Sequence, residues 1–285
     1  MSRISYLNGQ FLPHEQCMVH IEDRGFQFAD GAYEVTLFEN GRLIDGEPHL
    51  VRLMRSLKEL NIEHSFSAEQ LRQIQLELFA KNNFDKSATC YIQITRGTAQ
   101  RHPSCPKNIK PTICATVSPR KLVSNEEFVK GFKVMTSQDI RWHRCDIKTV
   151  NLLASTLTNQ KAKDLGFDDA LFIRDNVVTE ATYANIFMVD DKNNLITHPA
   201  DNNILCGITR NRLIALAKNL NIGVIERKFS VAEIMKAREV FLTSSSLLIR
   251  PVFYINNQEI AGKKSASNPS IAKILSDAYI DFINS

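Results

Sequence analysis

An α+β fold in two unequal domains is what this sequence predicts, and three observations carry it. Asn8-Gly9 and Asn40-Gly41 each stand between short apolar runs, the strongest local signal for a β-hairpin. Leu50, Leu53, Met54, Leu57 and Leu60 recur at helical spacing, as do Leu71, Ile74, Leu78 and Phe79, so helices are mixed with the hairpins. A regular strand-helix alternation is missing, as is any G-x-G-x-x-G or Walker loop, which disfavours a nucleotide-binding fold.

The chain opens on the hairpins "ISYLNGQFL" and "YEVTLFENGRLI". The two periodic helices follow, and then neighbouring strands at "TCYIQITRG" and "PTICATVSP". Residues 119–126, polar, carrying Pro119 and without periodicity, read as a linker between a small domain (1–118) and a larger one (127–285). In the second domain we expect a strand at "FKVMTS" and a helix from about Asn151 to Leu165, ended by Gly166. Strands at "DALFIRD", "NIFMVDD" and "NLIT" come next, then a helix opening at "GITRNRLIALAKNL" and a buried strand at "EVFLTSSS".

The 285 residues, 44% of them hydrophobic, suffice for a substantial core. Charges of both signs are interspersed and the net charge is only +4, too diffuse to argue for nucleic acid, so the expected partner is a small molecule. The six cysteines (17, 90, 105, 114, 145 and 206) form no C-x-x-C pair, which gives no zinc site and makes buried or half-buried thiols the plain expectation. Neither a signal peptide nor an apolar run of about 20 residues is visible, so no membrane partner and a reducing, cytoplasmic location are expected.

"RWHRCDIKTVNLL" (141–153) raises the question of chemistry. A lysine becomes a nucleophile or base when neighbouring positive charge or burial pulls its pKa below about 10.4. Lys148 has Arg141, His143 and Arg144 nearby in sequence, with an apolar stretch after it that looks helical. Most lysines are nevertheless solvated surface groups, and the local pattern leaves both readings open. Downstream, Glu180 opens "EATYANIF", a polar segment between strands, where a turn or cap carboxylate is the simplest reading.

The order Glu180, Thr182, Asn185-Ile186-Phe187, Leu195-Ile196-Thr197 and Leu205-Cys206-Gly207-Ile208-Thr209-Arg210 resembles the signature of the fold-type IV pyridoxal-phosphate enzymes. These comprise D-amino-acid and branched-chain aminotransferases and aminodeoxychorismate lyases. "EDRGFQFADGAYEV", "HLVRL", "ITRGT", "DIRWHRCDIKTVNLL", "THPADNNILCGITR" and "FLTSSS" are most similar to segments of the bacterial D-amino-acid enzymes and span nearly the whole chain.

The resemblance implies a larger C-terminal domain of pseudo-barrel form, pyridoxal 5′-phosphate as cofactor, Lys148 as the Schiff-base lysine and Glu180 beside the cofactor ring nitrogen. It implies a phosphate cup of Arg52, Gly207, Ile208, Thr209 and Ser245, where a helix start offers free N–H groups to an anion. It places Tyr33 against the cofactor and Arg101 on the substrate carboxylate. His102 directly follows Arg101, whereas the family's histidine falls at the position of Pro103. The activity implied is transamination between D-amino acids such as D-alanine and 2-oxo acids such as 2-oxoglutarate, in a homodimer with shared active sites. Aminodeoxychorismate lyase and branched-chain L-aminotransferase activities are the alternatives. Leu247, Leu248 and Arg250 depart from what the D-amino-acid enzymes often show, which bears on substrate range.

Overall fold

The computed structural model describes residues 3–84, 87–120, 124–264 and 270–285. They fall into two compact units, Met1–Leu122 with Ile147–Asn151, and Val123–Asp146 with Leu152–Ser285. Residues 121–123 of the expected linker lie outside the described residues.

The first unit is built from β1 (Ile4–Leu7), β2 (Gln10–Pro13), α1 (Arg24–Phe28), β3 (Gly31–Glu39), β4 (Arg42–Ile44), α2 (Gly46–Glu59), α3 (Ala68–Asn82), β5 (Ser87–Thr95) and β6 (Thr112–Pro119). Its strands pair antiparallel in the order β2-β1-β6-β5-β3-β4. Both Asn-Gly pairs have positive φ at each residue (47° and 97°, 49° and 76°), the backbone that matches a tight hairpin to strand twist. Leu50, Leu53 and Leu57 of α2 and Leu71 and Leu78 of α3 pack with Ile92, Ile94 and Val117 of the sheet. Each such side chain contributes about 1.5–3 kcal/mol on burial.

A second stretch of chain completes this sheet. β4 covers β3 only at Leu37–Glu39, which leaves the other end of that edge open. Residues 148–150 run along it: the Tyr33 N–H donates to the Lys148 carbonyl at 3.1 Å and the Val150 N–H to that of Gly31 at 3.1 Å. Lys148 is therefore held on an extended segment, and the helix expected from about Asn151 begins only at Leu153.

The second unit contains α4 (Asn125–Lys130), β7 (Phe132–Gln138), α5 (Leu153–Asp164), β8 (Asp169–Arg174), β9 (Val177–Ala181), β10 (Asn185–Val189), β11 (Leu195–Thr197), α6 (Ile208–Asn219), β12 (Val224–Glu226), α7 (Val231–Lys236), β13 (Glu239–Ser244), β14 (Leu248–Ile255), β15 (Gln258–Glu259) and α8 (Ile271–Asn284). The mixed sheet runs β12-β11-β10-β13-β14-β7-β8-β9, with β15 on β14. The Ala181 N–H bonds the Ala184 carbonyl at 2.8 Å, bringing the end of β9 back to the start of β10, so this sheet curls into a half-barrel. Ile186, Met188, Leu171, Val134, Leu242 and Val252 fill its core.

Three expectations are corrected here. Glu180 lies on β9 rather than in a polar segment or turn, because Asp175 and Asn176 (φ 51° and 63°) make the hairpin turn before it. Asn125 and Glu126, expected in the linker, begin α4, whose start is fixed by reciprocal bonds between Ser124 and Glu127. The cysteines are free thiols and, against expectation, Cys105 is exposed. Among the described residues no helix is long and apolar enough to cross a membrane.

Candidate active site

In the first unit the site is organised around Lys148 and β3. The half-buried Lys148 ammonium stands 4.3 Å from the centroid of the Tyr33 ring, and its backbone N–H reaches the buried Ser56 hydroxyl of α2 at 3.3 Å. Tyr33 is itself buried and stacks on Tyr91 at 5.5 Å.

One residue on, Glu34 is fully buried and takes Arg52 Nε at 2.6 Å, Arg52 Nη2 at 2.9 Å and His49 Nδ1 at 2.7 Å. Burial by itself pushes the Glu34 carboxyl up, and the charges and hydrogen bonds of Arg52 and His49 together more than offset it, holding the group well below the usual carboxylate range. Burial also pushes the His49 pKa down, so Arg52 is the counter-ion in this pair. Arg52 is thus an 8% exposed residue in a charge pair, not a solvated helix-face arginine.

Arg101 and His102 stand on an exposed loop of the same unit. The Arg101 guanidinium lies 5.1 Å from the Phe28 ring, whose centroid is 4.5 Å from Arg24. His102 meets Ser104 Oγ at 2.6 Å, and its carbonyl accepts from Arg24 Nη1 at 2.8 Å. Arg24 and Arg96 converge on Asp30 (2.8 and 2.7 Å), a buried cluster with no sequence signal beyond scattered charges.

In the second unit the signature residues assemble around Glu180, 6% exposed on β9. Asn185 links its Oε2 (3.0 Å) to the Leu205 carbonyl (2.8 Å), the Leu205 N–H lies 3.2 Å from both carboxylate oxygens, and Arg141 Nη1 reaches Oε1 at 2.5 Å. Burial pushes the Glu180 carboxyl above its ordinary value even with Arg141 alongside. Thr182 and Asn159 hold the buried Asp169, and the Thr197 hydroxyl donates to the Ile186 carbonyl at 2.8 Å.

Gly207 caps α6, placing Ile208 and Thr209 at the helix start with their N–H groups unclaimed by the helix. A Cβ at Gly207 would collide with Asn185 Oδ1, so only glycine lets this corner lie against the amide that holds Glu180. Arg210, 1% exposed, fixes the first turn through the His198 carbonyl (2.7 Å) and Glu226 (2.6 Å). Ser245 is half-buried in the turn between β13 and β14.

The arginines near Lys148 in sequence are already paired with carboxylates and do not act on it as bare charges. Arg141 is taken up by Asp139 and Glu180, and Arg144 pairs with Asp146 at 2.9 Å, so neither is an uncompensated cation. Arg250, weighed as a determinant of substrate range, lies 3.7 Å from Glu127 and stacks over Phe132 at 5.2 Å. Sequence reasoning missed Glu34, His49 and Asp139. Glu34, the one charged residue within "GAYEVTLF", shows a weak signal for a buried partner, and His49, preceded by Glu47 and Pro48, shows none.

A family model described as amino-transferase class IV matches residues 31–255. D-alanine aminotransferase of Bacillus licheniformis is 37% identical over 253 residues, covering 89% of this chain and 88% of that protein. The Listeria monocytogenes serotype 4b D-alanine aminotransferase is 37% identical over 270 residues, covering 94% and 92%. The solved T.th. branched-chain amino acid aminotransferase with pyridoxamine 5′-phosphate superposes with a TM-score of 0.90 at 22% identity, over 99% of this chain and 94% of that one, a likeness of fold. The chain belongs to the class IV aminotransferases. It is an aminotransferase of fold type IV, and the cofactor of that class is pyridoxal 5′-phosphate.

Proposed function

We propose that this protein transfers an amino group between D-amino acids, D-alanine among them, and 2-oxo acids such as 2-oxoglutarate. The observation that carries the substrate class is the 37% identity to D-alanine aminotransferases over about nine-tenths of both chains.

The residues fit the cofactor of the class. A buried carboxylate with a raised pKa suits a ring nitrogen that must keep its proton, and that is Glu180. The bare Gly207 and the N–H groups that open α6 suit a phosphate, with Ile208, Thr209, Ser245 and Arg52 as its further ligands. Lys148 would hold the cofactor as a Schiff base. Bound there, pyridoxal phosphate supplies an electron sink for the substrate α-carbon.

The chain's own residues do the rest. Lys148 Nζ, once freed, would take the proton from the substrate α-carbon and give it up at the cofactor carbon it had held, so it must be neutral when it takes that proton. Tyr33 bounds the face on which the amine moves. Arg101 offers a fork to the substrate carboxylate, with His102 beside it. Amino donor and oxo acid then use the site in turn. The reading makes the protein a cytoplasmic homodimer, the Arg101 loop of each subunit completing its neighbour's site, with a small N-terminal and a larger cofactor-binding C-terminal domain.

Incubation with D-alanine, L-leucine and aminodeoxychorismate, each with and without 2-oxoglutarate, tests the substrate class. Turnover of D-alanine only when the oxo acid is present is the expected outcome. Pyruvate released from aminodeoxychorismate alone, or faster turnover of L-leucine, contradicts it.

A further inference from the structure

Arg141 is bonded to two carboxylates at once, and unequally. Its Nε and Nη2 fork onto Asp139 at 2.9 and 2.8 Å, whereas Nη1 alone reaches Glu180. The Arg141 backbone N–H adds a further bond to Asp139 at 3.1 Å. The Asp139 carboxylate is wholly buried and also takes Arg174 Nη2 at 3.1 Å and the Thr179 hydroxyl at 3.2 Å. Arg141 rests on the Phe172 ring at 4.4 Å, with a remaining Nη2 bond to the Asn203 carbonyl at 3.2 Å, so its position is fixed.

The ionisable groups facing this cluster come from each neighbouring element: Asp139 and Arg141 after β7, Arg174 from β8 and Glu180 from β9. Cys145 lies alongside, its thiol pushed up by burial to about 11 and so neutral, and His143 meets Arg174 at 3.2 Å from the exposed side. Arg141 and Arg174 thus balance Asp139 and Glu180. Paired with Arg141 alone, Glu180 would be a poor base, because the guanidinium favours its charged form.

We infer that Asp139 is a positioning residue: it holds the fork of Arg141 and so leaves Glu180 basic enough to keep a proton on the nitrogen base set against it. The inference rests on the assignment of Glu180 to the cofactor ring nitrogen. The direction of the Glu180 pKa agrees, since burial raises it, Arg141 lowers it and Asp139 raises it.

The test follows the 15N chemical shift of ring-labelled pyridoxal phosphate in the holoenzyme against pH. Asp139→Asn is expected to lower the midpoint for loss of the ring proton by about one pH unit, the size of one nearby charge in a screened interior. Arg174→Gln, which removes the competing cation, is expected to raise it, whereas a loosened scaffold would lower it in both variants. Glu180→Gln is expected to lower it furthest. If Glu180→Gln lowers the midpoint and Asp139→Asn does not, the inference fails and the assignment of Glu180 stands. An unmoved midpoint in Glu180→Gln overturns both. Where Asp139→Asn does not fold, Arg174→Gln decides: a raised midpoint supports the inference, and an unmoved or lowered one overturns it.

Discussion

Lys148 owes its place to backbone bonds before any chemistry of its own. The Tyr33 N–H and Ser56 Oγ grip its peptide groups, and the Tyr33 ring meets its ammonium, so the side chain leaves a rigid sheet edge. Lys148→Ala is expected to fold and to lose about 10²–10⁴-fold or more in kcat, the range for removing a positioned acid-base group. Retention of wild-type turnover would contradict the assignment. Behind it, Glu34 is the counter-charge of Arg52 at 8% exposure. Glu34→Gln should cost about 3–5 kcal/mol in urea unfolding, because it leaves a buried guanidinium without its carboxylate. A loss under about 1 kcal/mol would mean that the pair is not held closed in solution.

At the scale of elements, the α6 start and the β9–β10 corner form one device. Gly207 touches the Asn185 amide that bridges Glu180 and the Leu205 carbonyl. Gly207→Ala should therefore push that amide aside and weaken cofactor binding about tenfold, the worth of one buried hydrogen bond, while the melting temperature moves little. Unchanged cofactor affinity would sink this account of the corner. The spaced residues from Glu180 to Arg210 were legible through their resemblance to a family signature, and its polar members Glu180, Thr182, Asn185, Thr197 and Arg210 are each tied by a side-chain bond. The strand carrying Glu180 was not legible. Its hairpin turn uses Asp175-Asn176 without a glycine, and the run after it mixes Thr and Glu with Val. The apolar stripe Ile271, Leu275, Tyr279 and Ile283 of α8 was open to the same periodic reasoning that found α2 and was missed. The charges around Lys148 misled because a one-dimensional pattern cannot tell a free cation from one already paired, as Arg141 is with Asp139 and Glu180.

For the whole molecule, the buried charges set the response to acid. Burial pushes Asp30, Glu34 and Asp139 up, but their arginines, joined at Glu34 by His49, together more than offset it and leave all three below the ordinary range. An acid with a depressed folded pKa binds fewer protons folded than unfolded, so its stabilisation is complete above an ordinary pKa of about 4 and drains as pH falls further. Glu180 and Asp169, raised by burial, act in the opposite sense and lose stability as pH rises through their folded pKa values. The melting temperature of the apoenzyme should fall steeply below about pH 4. A flat profile down to about pH 3 would show that the three carboxylates are not paired in solution. The α+β organisation was legible from hairpins and helix faces, but the return of Ile147–Asn151 to the first unit was not, since a short extended segment filling a sheet edge carries no periodicity.

The central claim is that the cofactor is carried by the lysine held against Tyr33. Borohydride reduction of the holoenzyme followed by peptide mapping tests it most directly. The account predicts the pyridoxyl group on the peptide containing Lys148, and its stable attachment to any other lysine would contradict it.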